Sequence, residues 1–439
     1  MYKLTAILTI LLLHFYAPAQ EKYELQQIIR KALEENYQIQ IVTKHQQMAQ
    51  NVNNLGHAGF LPTVDIVGQS SRNIQTSEQN LFTGQSRSGT NVQSSNSNAM
   101  IAVDWVVFDG FGMFARRDKL NLLAIMSETD TRFFIEQTVA DLSKLYCNLI
   151  KEELLLGYFR QLLEVSSFRY NLEKNKIEIG ASQKLYYHQA LTDFNADSAS
   201  VLQQIMYIDE LQIQINRLIN RDVRLSFLTN HRALELQGID DAQILIEKAA
   251  KNNRDLQRAQ LERMLAEADY RIEKAGRWPQ VNVFGNYSLS RQTSELGIIE
   301  SAQSHGSQFG VNVRFNLFDG GKKSSSVKNT FLEQQAALLN EKDINAILEA
   351  DIIKLTKRYH AYQNQKKLLK RSVEAAQASL LIAQQQFQVG TIDGYELRLT
   401  QVTALNANMK LLQIQYAMRL IEIDLFRISG ILLEQTLNA

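Results

Sequence analysis

Gly59-Phe60-Leu61-Pro62-Thr63-Val64 and Gly276-Arg277-Trp278-Pro279-Gln280-Val281 share one pattern: a glycine, an aromatic, a proline and the start of an alternating segment. Proline is informative because it is rare, occurring only as Pro18, Pro62 and Pro279. Pro62 and Pro279 lie 217 positions apart, and that offset holds upstream, where Ala32, Asn36 and Gln40 match Ala249, Asn253 and Gln257. Downstream the offset becomes 210: Phe108-Asp109-Gly110 matches Phe318-Asp319-Gly320, and Gly180 matches Gly390. The change falls in a polar segment, where loops absorb differences in length. Matches in constant order and spacing predict a duplicated unit, over residues 20–222 and 239–439, joined by a linker at 223–238.

Each unit opens with a helical pattern of roughly 35 residues, expected to stop before its proline because the preceding residue is pushed towards extended geometry. A β-hairpin is expected next, at about 62–108 and 279–318. Val281, Val283, Tyr287 and Leu289 alternate with Asn282, Asn286 and Ser288, and Phe284 breaks the polar set. Val311, Val313, Phe315 and Leu317 alternate with Asn312, Arg314 and Asn316. A period of two marks strands with one apolar face. Strands of about nine to eleven residues suffice to cross a bilayer when tilted. The Ser/Asn/Gln/Gly-rich segments Thr76–Asn98 and Gln292–Ser307 are expected as solvated loops. Phe60, Phe108, Trp278 and Phe318 fall at one end of the two hairpins, where an interfacial aromatic girdle belongs; ordinary packing at a strand–helix junction suits them too.

From about Met113 to Ile179 there is no proline and one glycine, so a helix of roughly 100 Å is expected. A helix that long needs a partner along its length. In the second unit, positions 348, 352, 355, 359, 362, 366, 369, 373, 376, 380, 383 and 387 form a heptad seam with one polar exception, Lys366. In the first, Leu142, Leu149, Leu156, Leu163, Tyr170 and Ile177 keep a period of seven. Each unit closes with a shorter helix after Gly180 or Gly390, glycines that suit a left-handed helix cap.

Residues 1–19 read as a secretory signal: Lys3, an apolar run from Ala6 to Phe15, and the cleavage pattern Ala17-Pro18-Ala19. Net charge is +1 before its removal and zero after, which argues against nucleic-acid binding. No further apolar run is long enough for a transmembrane helix, so an exported chain of this kind is soluble or spans as a β-barrel. The histidines show no metal-ligand spacing, the only cysteine is Cys147, and no phosphate-cradling loop or nucleophile elbow occurs. No enzyme, metal or cofactor is expected.

The opening helix, Pro62 and Pro279, the two Phe-Asp-Gly motifs, the glycines at Ile179-Gly180 and Val389-Gly390, and the duplication together resemble the TolC-like outer-membrane efflux protein family over nearly the whole mature chain. The resemblance implies a mainly α fold with a transmembrane β-barrel part, in which a homotrimer supplies twelve strands and a long α-helical coiled-coil tunnel. It implies an outer-membrane exit duct reaching into the periplasm, passively conducting substrate from a periplasmic adaptor and an inner-membrane pump, and contact with outer-membrane lipid. Drug, metal and polypeptide exporters share such a duct, so the cargo stays open. By the same resemblance Gly180, Ser182, Gly390, Ile392, Asp393 and Glu396 belong to the gate and adaptor tip. Pro62, Asp109, Gly110, Pro279, Asp319 and Gly320 form the barrel–helix junction. Many relatives carry an arginine two residues after the tip glycine, where this chain has Ser182 and Ile392. The alternative is a soluble periplasmic coiled-coil adaptor or scaffold.

Overall fold

A computed structural model describes residues 22–180, 183–296 and 298–437. The expected signal, 1–19, and Ser182 lie outside the described residues. In chain order the elements are α1 (Leu25–Glu35), α2 (Tyr37–Val52), α3 (Leu55–Ala58), β1 (Thr63–Asn80), β2 (Ser86–Phe108), α4 (Gly112–Glu178) and α5 (Lys184–Leu218). After a 3-10 turn at His231–Leu234 come α6 (Ala242–Asn252), α7 (Arg254–Ala275), β3 (Gln280–Ser294), β4 (Ser301–Arg314), α8 (Lys322–Gln388), α9 (Gly394–Ile428) and α10 (Leu432–Leu437). Helices α4 and α8 each run 67 residues, and α5 and α9 each run 35. Among the described residues no helix is long and apolar enough to cross a membrane.

The chain forms two compact units. One comprises Lys44–Thr129 and Arg258–Lys342 and holds the sheet. Its four strands are antiparallel in the order β1-β2-β3-β4, so β2 and β3 join the two halves of the sequence. The apolar set lines up across strands, Val64 with Val103 and Ile66 with Ile101 and Tyr287. These residues are bare on the single chain: Ile66 is 83% exposed, Phe309 85% and Val311 63%.

The strands are longer than the sequence pattern indicates, at 18, 23, 15 and 14 residues. Most of the two segments expected as loops is β-ladder, and the connections shrink to 81–85 and 295–300. The apolar alternation ends where burial or lipid contact would end, but backbone pairing needs neither. Hydroxyl pairs such as Ser70–Ser97 at 3.0 Å and Ser95–Thr293 at 2.6 Å bridge polar positions on neighbouring strands.

The other unit holds α1, α5, α6, α9, α10, the linker and the greater part of α4 and α8. Its main core gathers Ile28, Ile29, Leu142, Leu149, Ile150, Ile215, Ile219 and Phe227. A second core joins Leu245, Ile352, Tyr359 and Leu425. The heptad seam is visible in burial: Leu142, Leu149 and Leu156 are buried on α4, and Ile352, Tyr359, Val373, Ala383 and Phe387 on α8. Lys366, the exception, is half-buried, and burial together with nearby Lys370 pushes its pKa down.

The opening helices are not continuous. Asn36 separates α1 from α2, and Asn253 separates α6 from α7. Each side chain explains its break. The Asn36 amide donates to the Leu218 carbonyl at 2.7 Å, while its oxygen accepts from Gln38 N and Ile39 N. Asn253 donates to the Ile428 carbonyl at 2.8 Å and accepts from Leu256 N at 2.8 Å. Each asparagine thus caps the following helix and satisfies a carbonyl at the end of a distant one.

Candidate functional site

Two regions hold the residues singled out by sequence. In the sheet unit, Pro62 and Pro279 each directly precede a strand. Asp109 leads into α4: its Oδ1 accepts from Met113 N at 3.0 Å, and its Oδ2 pairs with Arg116. Asp319 does the same for α8, accepting from Lys323 N at 2.8 Å. An acid at a helix start suits the dipole, and here it also ties down a base that the dipole disfavours. Lys323 pairs with Glu273 at 3.0 Å, and Arg117 reaches Asn53 at 3.1 Å. A hydrogen bond from Ser326 and then the Lys323 ammonium hold Glu273 below the ordinary carboxylate pKa.

Gly110 and Gly320 are left-handed, with φ of 70° and 73°. Their surroundings differ. A Cβ on Gly110 would lie 2.3 Å from the Ala275 carbonyl oxygen, whereas one on Gly320 would meet nothing within 4 Å. The four aromatics divide in the same manner. Phe60 packs edge-on against Phe114 and receives the Trp105 indole N–H on its carbonyl, and Phe108 packs edge-on against Phe111. Trp278 and Phe318 stay exposed, at 61% and 85%.

In the helical unit, Gly180 and Gly390 follow the two long helices in left-handed conformation, with φ of 72° and 77°. Asp393 caps α9: its Oδ1 accepts from Tyr395 N and Glu396 N, each at 2.9 Å. Glu396 is exposed on the first turn, and Ile392 packs against the small core of Ala383, Phe387 and Leu397. Beside them lies a cleft of about 940 Å³ lined by Gly180, Gly390, Ile392, Asp393, Arg169 and Arg398, among others.

The sequence reading missed the ion cluster there. Arg169, only 5% exposed, donates to the Gly394 carbonyl at 2.8 Å and pairs with Asp193. Arg398 holds Asp197 through two hydrogen bonds of 2.7 and 2.8 Å. Burial works against the Arg398 charge, but Asp197 and Asp193 hold its pKa above the ordinary value. The available signal was position: Arg169 adjoins seam residue Tyr170, where an exposed charge is not expected.

A membrane protein structure from Pseudomonas aeruginosa is similar with a TM-score of 0.77 at 16% identity, covering 94% of this chain and 91% of that one. The CmeC outer membrane channel of Campylobacter jejuni is similar with a TM-score of 0.77 at 13% identity, covering 93% and 86%. The fold, mostly helical with a small antiparallel sheet, is that of outer-membrane channel protomers. Residues 245–431 match the family model of outer membrane efflux proteins. The outer membrane protein TolC of Vibrio cholerae is 21% identical over 258 residues, spanning 57% of this chain and 57% of that protein's own length. The resemblance to TolC-like outer-membrane efflux proteins thus holds in sequence and in fold.

Proposed function

We propose that this chain is one protomer of a passive exit duct in the outer membrane, extending into the periplasm. One observation carries the reading. Its antiparallel sheet has one face of bare apolar side chains and, among the described residues, no partner on the outer edges of β1 and β4. Open edges and an exposed apolar face are unfavourable in water. Three copies would close a twelve-stranded barrel, satisfying every edge and turning the apolar face to lipid. Four strands from one chain cannot enclose a lumen, so the barrel requires several copies, and three are proposed.

The recurring helix–hairpin–long helix–helix order supports an origin by duplication, with hairpins near 62–108 and 279–318 and a linker at 223–238. The helices form the periplasmic tunnel. Gly180, Gly390, Ile392, Asp393 and Glu396 stand at its mouth, where a periplasmic adaptor would dock and couple the duct to an inner-membrane pump. Pro62, Asp109, Gly110, Pro279, Asp319 and Gly320 set the turn from barrel to tunnel, and the exposed Trp278 and Phe318 meet the lipid interface.

Fractionation of cells expressing the full chain tests this. The protein is expected in detergent-extracted outer membrane, as a trimer that conducts ions in planar bilayers. Recovery as a soluble periplasmic monomer would replace the channel with the adaptor or scaffold alternative.

A further inference from the structure

The polar face of β3 contains one residue that does not fit it. From Gln280 to Ser290 this face of β3 reads Gln280, Asn282, Phe284, Asn286, Ser288 and Ser290. Phe284 lies in a row that crosses all four strands: Thr63 opposite Asp104, Asp104 opposite Phe284, and Phe284 opposite Gly310. Its ring does not stand off the sheet. A Cβ on Gly310 would come 2.8 Å from Phe284 Cζ and 3.0 Å from Cε1, so the ring lies over that glycine. Phe284 is half-buried in this position.

Its neighbour on the other side is a carboxylate. Directly opposed residues of an antiparallel pair sit about 5 Å apart at Cα, so Asp104 flanks Phe284 on the side away from Gly310, over which the ring leans. Asp104 is exposed, and Asn282 Nδ2 donates to its Oδ1 at 2.9 Å, holding it in place. The next row adds a second exposed carboxylate on the same face, Asp65. Arg314, the base on this face of β4, is paired with Gln280, four residues along the strand from Gly310.

An aromatic plate over β4 with a carboxylate across the strand on β2 matches a particular solute. Ring faces attract cations and stack on other rings. We propose that Phe284 and Asp104 form a stacking station for organic cations carrying an aromatic ring, one station per copy on the wall of the lumen. The inference rests on the channel reading, in which the polar face of the sheet lines the pore. It makes Phe284 a specificity-determining residue: the cargo ring stacks on Phe284 while its cationic group faces Asp104.

The test uses the full-length protein in planar bilayers carrying potassium current. Benzyltrimethylammonium and tetramethylammonium are compared as blockers, with each result normalised to the variant's own potassium current. The wild-type pore is expected to be blocked at lower concentration by the aromatic cation. Phe284→Leu should reduce that preference by about two- to ten-fold, the scale of one aromatic–aromatic contact. Gly310→Ala, which displaces the ring while keeping it, should do the same, and Phe284→Tyr should retain the preference. Asp104→Asn should weaken both blockers and leave their ratio. An unchanged ratio in both Phe284→Leu and Gly310→Ala, in pores that conduct, would overturn the station and leave the ring as a cover for glycine. A wild-type protein that carries no current would overturn the channel reading, and this inference with it.

Discussion

Replacing Arg419 by Met tests whether a buried ion network fastens the linker. Glu422 is fully buried and accepts four hydrogen bonds: Gln237 N at 3.2 Å, Gly238 N at 2.9 Å, Tyr359 Oη at 2.8 Å and Arg419 Nη1 at 2.8 Å. Arg419, 6% exposed, also donates from Nε to the Ala233 carbonyl at 3.1 Å. Two side chains one helical turn apart on α9 therefore hold residues 233–238. Methionine fills most of the arginine stem, so the packing loss is small. The decisive change is a carboxylate left buried without its cation, which costs about 3–5 kcal/mol. Adding Glu422→Gln removes that charge and should recover part of the loss, giving a coupling of about 1–3 kcal/mol between the two sites. Denaturant unfolding of the purified protein in detergent, followed by circular dichroism, gives the energies. Limited proteolysis reports the linker, expected to be nicked within 223–238 in Arg419→Met. Additive single effects, or a linker as resistant as wild type, would refute the reasoning.

Asn253→Ala should destabilise by about 2–4 kcal/mol, since it removes a helix cap and leaves the Ile428 carbonyl without its donor; amide exchange should rise first at the start of α7. Gly110→Ala should be far more damaging than Gly320→Ala: both impose a left-handed alanine at about 1–2 kcal/mol, but only the first drives a Cβ into the Ala275 carbonyl. Thermal melts of the two variants compare them directly. Burial pushes the Cys147 thiol from 9.0 up to about 11. The unfolded chain therefore releases this proton first, and stability should fall as pH rises from about 9 to about 11; Cys147→Ser should flatten that slope in unfolding titrations. Leu339 is 65% exposed on the single chain, so Leu339→Glu should leave its fold intact. In the proposed trimer the same change buries a charge costing several kcal/mol, and native mass spectrometry should show dissociation; a trimer of unchanged stability would place Leu339 outside the interface.

The long helices were legible because their signal is redundant. Seven-residue periodicity repeats many times along α4 and α8, and no proline interrupts it. The strands were legible only where alternation reports a two-faced environment. Beyond Val67 the side chains of β1, Ile74 excepted, are polar on both faces, and pairing to Asn80 is set by the partner strand rather than by local pattern. Asn36 and Asn253 were visible as a matched pair, but their function depends on carbonyls at Leu218 and Ile428, 182 and 175 residues away. Asp193 and Asp197 look like ordinary helix-surface acids until Arg169 and Arg398 are brought against them. Contacts of that separation leave no periodic trace.

Equal lengths do not give α4 and α8 equal surroundings. On α4 the seam residues Leu142 and Leu149, with Val139 and Ile150, are fully buried within the chain's own core. On α8, Leu332, Leu339, Leu368 and Leu381 remain 59–65% exposed. A long helix gains most of its stability from packing an apolar stripe, not from intrinsic propensity. α8 therefore lacks, within one chain, cover that α4 already has, just as β1 and β4 lack partners at their outer edges. Sheet and helices thus present the same incompleteness by different physics, one through unpaired backbone groups and the other through bare leucines. In the proposed trimer, copies arranged around a common axis would answer both at once, and assembly would then be part of how this sequence reaches a stable fold.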